Sequence, residues 1–268
     1  MKLAAVLVAA LVLAAPAAGP ADYVLSRQQP DGGFAEPGGQ SDPSLTAWAV
    51  LGLGAVDRAP ASAARYLAGK PYPEATDLAL RILALRALGQ DVDPLVAQLE
   101  GLRRPDGKIG PLVNSTMWGL LALRAAGRPA GDSVRYLLRV QSRSGGWSWA
   151  PRGAADSNDT AVAVQALRAA GLGARAAPVR RALAYLRRLQ RRNGGFALVA
   201  GRAADAQSTA WAIQAFLAAG RDPGRAPFRF LARLRRPDGS YRYAPRKGFT
   251  PVWVTAQVLP ALARNPLP

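Results

Sequence analysis

The chain repeats itself, and that limits what it can fold into more than any other feature. Residues 135–147 read RYLLRVQSRSGGW and residues 184–196 read AYLRRLQRRNGGF. Residues 22–34, DYVLSRQQPDGGF, follow the same plan. Residues 229–241, RFLARLRRPDGSY, carry Arg235 where the others carry Gln, and residues 97–109, AQLEGLRRPDGKI, are a weaker copy. A degenerate copy is expected near Arg65, Tyr66 and Leu67. After each copy an apolar segment starts at a threonine: Thr46, Thr76, Thr116, Thr160, Thr209 and Thr255. A period of about forty residues means that each unit buries its apolar face against the next one.

Each unit reads as two helices. Across Val179–Arg192, Arg180, Arg181, Arg187, Arg188, Arg191 and Arg192 share one face and Leu183, Leu186 and Leu189 the other, which predicts an amphipathic helix with one wet side. The Gly-Gly or Asp-Gly that follows supplies the left-handed turn. The second segment, such as TAVAVQALRAAG or TAWAIQAFLAAG, is apolar nearly all round and so predicts a buried helix. Six alternations give an all-α protein in two concentric layers, the dry helices inside.

Tyr136, Leu137, Gln141, Gly145, Gly146 and Trp147 resemble the QW repeat of squalene and oxidosqualene cyclases, and Tyr185, Leu186, Gln190, Gly194, Gly195 and Phe196 resemble it with Phe for Trp. The chain is similar, over nearly its whole length after the first residues, to the prenyltransferase/squalene-oxidase repeat superfamily. That resemblance implies an α/α toroid of about six helical hairpins around a central cavity. It does not choose an activity, because one fold hosts many. Protein prenyltransferases of this fold need a zinc site that includes Cys and His, and thioester domains need a Cys. This chain has neither residue type. Cobalamin carriers use a second domain that this length does not provide.

The same composition excludes disulfides, thiolate nucleophiles and Ser-His-Asp triads, and it gives no reason to expect a metal or cofactor. Residues 1–19 read as a signal peptide, with Lys2 as the charged start, an apolar stretch from Leu3 to Ala15, and cleavage after Ala17 or Gly19. Secretion into the cell envelope or beyond is therefore expected, with no transmembrane segment after cleavage. The net charge of +18 lies wholly in the second half, where residues 121–268 carry 25 Lys and Arg against 6 Asp and Glu. That half is either a solvated arginine face or a surface for an anionic envelope component. An exported chain without a binding module is not expected to bind nucleic acid.

The stretch DSNDT, Asp156 to Thr160, falls on the DxDD motif of class II terpene cyclases, whose middle acid protonates an alkene or epoxide. The resemblance makes Asp159 and Asp156 catalytic candidates, but Asn158 stands where the family has that acid, and an amide has no proton of useful acidity. Aspartates four residues before the threonine recur at Asp42, Asp156 and Asp205, as caps would. One residue before the threonines stand Leu45, Ala75, Ser115, Asp159, Ser208 and Val254, so Asp159 is the one acid there and reads as either a cap or a proton donor. Trp48, Trp118, Trp211 and Trp253 are candidate cavity aromatics, which a carbocation would favour, or core. Taken with the resemblance, the residues place first a single-domain toroid over residues 20–268 that binds an apolar, isoprenoid-like ligand or a partner in its central cavity without catalysis. The alternative is a class II terpene cyclase (an isomerase) with Asp159 as the proton donor.

Overall fold

The computed structural model describes residues 18–72 and 74–267, so most of the expected signal peptide lies outside the described residues. The described residues form twelve α-helices, and their β-pairing is confined to isolated bridges. Six helices form a closed inner ring in which each packs on the next and the last on the first: α2 (Pro43–Gly54), α4 (Ala75–Ala87), α6 (Val113–Ala125), α8 (Ser157–Ala169), α10 (Ala206–Ala218) and α12 (Pro251–Leu262). Outside them lie α1 (Pro20–Leu25), α3 (Ala63–Ala68), α5 (Asp93–Gly101), α7 (Ser133–Val140), α9 (Ala177–Leu189) and α11 (Arg225–Ala232). This is the α/α toroid. None of the described helices is long and apolar enough to cross a membrane.

The pattern of apolar residues explains the layering. In α8 every residue from Asp159 to Leu167 is buried, whereas α9 buries Val179, Ala182, Leu183, Leu186 and Leu189 and turns its arginines outward. Arginines of the outer layer do more than meet solvent. Arg188 donates to Ser144 O at 2.6 Å, Arg187 to Asp222 O at 3.1 Å and Arg233 to Asn193 O at 2.6 Å. Each ties an outer helix to the loop of a neighbouring unit. The repeat glutamine works in the same way: Gln141 Nε2 donates to Gly145 O at 2.8 Å and to Pro178 O at 2.9 Å. Arg235, which replaces it in the last unit, donates to Ala18 O at 2.9 Å and so closes the ring.

The repeat threonine fastens each turn to its inner helix. The Oγ1 atoms of Thr46, Thr116, Thr160, Thr209 and Thr255 accept from the amides of Phe34, Ile109, Trp147, Phe196 and Tyr241 at 2.8–3.0 Å. Thr160 also donates to Asp156 O at 2.5 Å. Trp147 is fully buried, so Thr160→Val strands its amide away from water. A loss of about 1–3 kcal/mol is expected in thermal or denaturant unfolding, with Thr160→Ser restoring most of it. A loss no larger for Val than for Ser would contradict that role.

Unit two departs from the expected register. Thr76 is the second residue of α4, not its fourth, and its Oγ1 lies 3.3 Å from Asn114 Oδ1 instead of holding a turn amide. The left-handed glycines Gly127, Gly171 and Gly220 each lie eleven residues after their threonine, and Gly89 stands in the same relation to Leu78. The residue equivalent to Asp159 in unit two is therefore Asp77, not Ala75. Asp159 is not the single acid in its series. The cause is the short connection from α3 to α4, which lacks the glycine-aromatic turn that sets the register elsewhere.

Candidate active site at the mouth of the toroid

The amino ends of the six inner helices surround one mouth of the ring. Asp156 is the N-cap of α8, and its Oδ1 accepts from Asp159 N at 2.8 Å. Asp42 does the same for Leu45 N and Asp205 for Ser208 N, each at 2.7 Å. Asp159 therefore is not the cap that its place beside Thr160 suggests. It lies in the first turn of α8, only 6% exposed, and its Oδ1 accepts from Asn114 Nδ2 at 2.6 Å. Thr76, Asn114 and Asp159 thus form a polar chain across three consecutive inner helices, and Ser44 Oγ donates to Asp77 Oδ1 at 3.3 Å beside it.

Burial first, and then the charge of the adjacent Asp156 carboxyl and a hydrogen bond with it, push the Asp159 carboxyl up to about 8. The Asn114 amide acts the other way and is too weak to reverse this. Burial likewise raises Asp77 and Asp205, against the donors on Ser44 and Ser208. The raised value keeps the Asp159 carboxyl largely in its neutral, protonated form at neutral pH. Asn158, at the place of the family acid, is the second residue of α8, as Asn114 is of α6, and its Oδ1 accepts from Ser157 Oγ at 3.1 Å.

Three of the four candidate aromatics meet on the axis. Trp48, Trp118 and Trp211 come from alternate inner helices and pack edge to face, with ring centroids 5.3, 5.6 and 5.6 Å apart. Leu80, Val162 and Gln257 hold the same position in the intervening helices, and Trp211 Nε1 donates to Gln257 Oε1 at 2.8 Å. The triad fills the centre of the ring where an open cavity is expected from the resemblance. Asp159 stands three residues before that position, roughly 4.5 Å along the axis, on the mouth side of it. At the far end the carboxy-terminal segment lies over the ring, where Leu267 N donates to the buried Gln165 Oε1 at 3.1 Å.

Trp253 lies elsewhere, in a pocket of about 440 Å3 at the mouth-side seam of α2 and α12. The pocket is also lined by Glu36, Asp42, Leu45 and Phe249. Glu36 bridges the seam, accepting from Val252 N at 3.0 Å and Trp253 N at 2.9 Å. In the closed order of the ring α2 is opposite α8, so this pocket faces Asp159 across the mouth. Trp149 and Phe249, 57% and 56% exposed, stand on loops of the same face. Asn114, Asp77 and Glu36 escape sequence reasoning. The eleven-residue spacing to the left-handed residue would have found Asp77, but nothing local marks Asn114 or Glu36.

Known proteins share this architecture. Drimenyl diphosphate synthase from Streptantibioticus cattleyicolor is 33% identical over 187 residues, which cover 55% of this chain, and the match spans only 35% of that relative's length. A type II terpene cyclase from Scytonema, solved with geranylgeranyl dihydroxybenzoate, superimposes with a TM-score of 0.72 at 16% identity, covering 92% of this chain and 95% of that one. The ent-copalyl diphosphate synthase from Streptomyces platensis gives 0.60 at 24% identity, over 83% of this chain and 50% of that one. The model of the prenyltransferase alpha-alpha toroid domain matches residues 5–106, 114–221 and 178–249. Repeat, ring and family match agree: the chain belongs to the prenyltransferase alpha-alpha toroid family.

Proposed function

We propose that the chain is a class II terpene cyclase-type isomerase that starts the reaction of an isoprenoid alkene with the proton of Asp159. The observation that carries this reading is a buried carboxyl, neutral at rest, at the mouth of the ring and held by Asn114. Protonation forms a C–H bond at the alkene, breaks its π bond and leaves the Asp159 carboxylate beside a carbocation. A neighbouring alkene then closes the ring by attacking the cation. Loss of a proton to the Asp159 carboxylate, or to water, ends the sequence with no net change in composition. Asn114 Nδ2 stabilises the carboxylate left behind, and proton transfer of this kind typically contributes about 10²–10⁴-fold. The relatives support the reading, since terpene cyclases and a terpene synthase share the fold or part of the sequence. The Scytonema cyclase matches over nearly the whole of both chains, so a toroid of this span is compatible with catalysis.

The filled axis and the amide at Asn158 favour a second reading, in which an isoprenoid is held at the mouth without turnover. Incubation of the full chain with farnesol, geranylgeraniol, squalene and farnesyl diphosphate, followed by mass-spectrometric product analysis, separates the two. Isomeric cyclic product that disappears in Asp159→Asn supports catalysis. Bound but unconverted isoprenoid supports the second reading and defeats the first.

A further inference from the structure

We infer that the mouth takes an uncharged isoprenoid, a hydrocarbon or an alcohol, and discriminates against a prenyl diphosphate. The inference rests on reading the Asp159 mouth as the substrate site, and it adds the charge of the substrate's other end. Six helix amino ends converge here, which would ordinarily make a phosphate site. At five of the six, all but that of α4, the chain's own groups occupy amides of the first turn. Leu45 N, Asp159 N and Ser208 N are held by the Asp42, Asp156 and Asp205 carboxyls, and Val252 N and Trp253 N by Glu36. Asn114 N, Ser157 N and Ala206 N donate to the carbonyls of Trp149, Leu198 and Tyr243 on the surrounding loops at 3.1, 2.9 and 2.8 Å. From N-cap to fourth residue, none of the six inner helices carries Lys or Arg.

The filled axis then fixes how a substrate must lie. With Trp48, Trp118 and Trp211 in contact, a chain whose alkene meets Asp159 cannot run down the centre. It must cross the mouth and place its other end in the seam pocket opposite. That pocket offers Leu45, Phe249 and Trp253 as apolar wall and Glu36 and Asp42 as its ionisable groups, with no cation. Arg152, Arg202, Arg246 and Lys247 are exposed on loops of this face, and none lines the pocket. A diphosphate there would meet like charge in a partly dry site, whereas a hydroxyl or a hydrocarbon end would not.

Farnesol and farnesyl diphosphate share a tail and differ in the charge of the head. Titration of the full chain with each, read by quenching of tryptophan fluorescence, should give half-saturation by farnesol at a concentration lower by about tenfold or more. Gln40, exposed on the pocket wall, provides the complementary variant. Gln40→Lys should tighten farnesyl diphosphate by about tenfold and so narrow or abolish the preference for farnesol. Equal or tighter binding of the diphosphate by the unaltered chain overturns the inference, as does quenching by neither ligand. Cyclised diphosphate product would overturn it while leaving Asp159 as the acid. Farnesol bound in preference but never converted would leave it standing and remove the catalytic reading.

Discussion

Asp159→Asn is expected to abolish turnover and yet stabilise the protein at neutral and alkaline pH. An amide keeps the size of the carboxyl, accepts from Asn114 and can donate to Asp156, but it has no proton to give. The rate of any proton-initiated product should fall by about 10²–10⁴-fold. The stability effect follows from the sign of the shift. Asp159 is raised from 3.8 to about 8 in the folded chain, so the folded state holds a proton that the unfolded state releases. The stability linked to that proton is fully present below about pH 4 and is lost as pH rises towards 8. The amide does not titrate, so between pH 5 and 7 the variant should gain about 1–3 kcal/mol on the unaltered protein, measured by denaturant unfolding at each pH. A cap would behave in the opposite way. If Asp159 were one, the variant would be weakened or unchanged at every pH, with no trend.

Gly52→Ala should be strongly damaging for so small a change, because two effects of opposite sign act there and the unfavourable one is larger. Alanine in a helix interior gains about 0.5–1 kcal/mol over glycine. At Gly52, however, a Cβ would stand 2.3 Å from Ala256 O and 3.0 Å from its Cα, so α2 and α12 could not keep their approach. Both atoms are backbone, and no side chain can swing away. Overpacking of this kind costs about 3 kcal/mol or more, which for a chain of this length lowers the melting temperature by roughly 6–12 °C. Gly101, the last residue of α5, is the control: a Cβ there meets nothing within 4 Å. Gly101→Ala should be neutral or slightly stabilising. Equal effects at the two positions would mean that the α2–α12 contact does not close the ring.

The toroid was legible because its signals are local and repeated. Arginine against leucine on α9, the turn glycines Gly145 and Gly194, and the apolar run after Thr160 each lie within one helix or one turn, and recurrence does the rest. The mouth was only half legible. Asp42, Asp156 and Asp205 cap their helices because capping depends on residues three apart, which a sequence displays. Whether Asp159 caps or sits inside the first turn depends on where α8 starts, and Asp and Ser at its position suit either reading. Unit two was misread because a recognisable threonine, Thr76, stands two residues from where its helix needs one. The Trp48, Trp118 and Trp211 triad has a visible sequence sign, tryptophan two residues after every second threonine. Only closure of the ring brings those rings together, and closure depends on Glu36, Gly52 and Arg235, whose partners lie about two hundred residues away in the chain.

The proton on Asp159 is the centre of the account, and carbon-13 NMR titration of the aspartate carboxyls measures it directly. The Asp159 signal, assigned by its loss in Asp159→Asn, should keep the chemical shift of a protonated carboxyl through neutral pH and change near pH 8. A carboxyl that instead ionises near pH 4, as an ordinary aspartate does, would leave the mouth without a resting acid and would contradict the proposed chemistry.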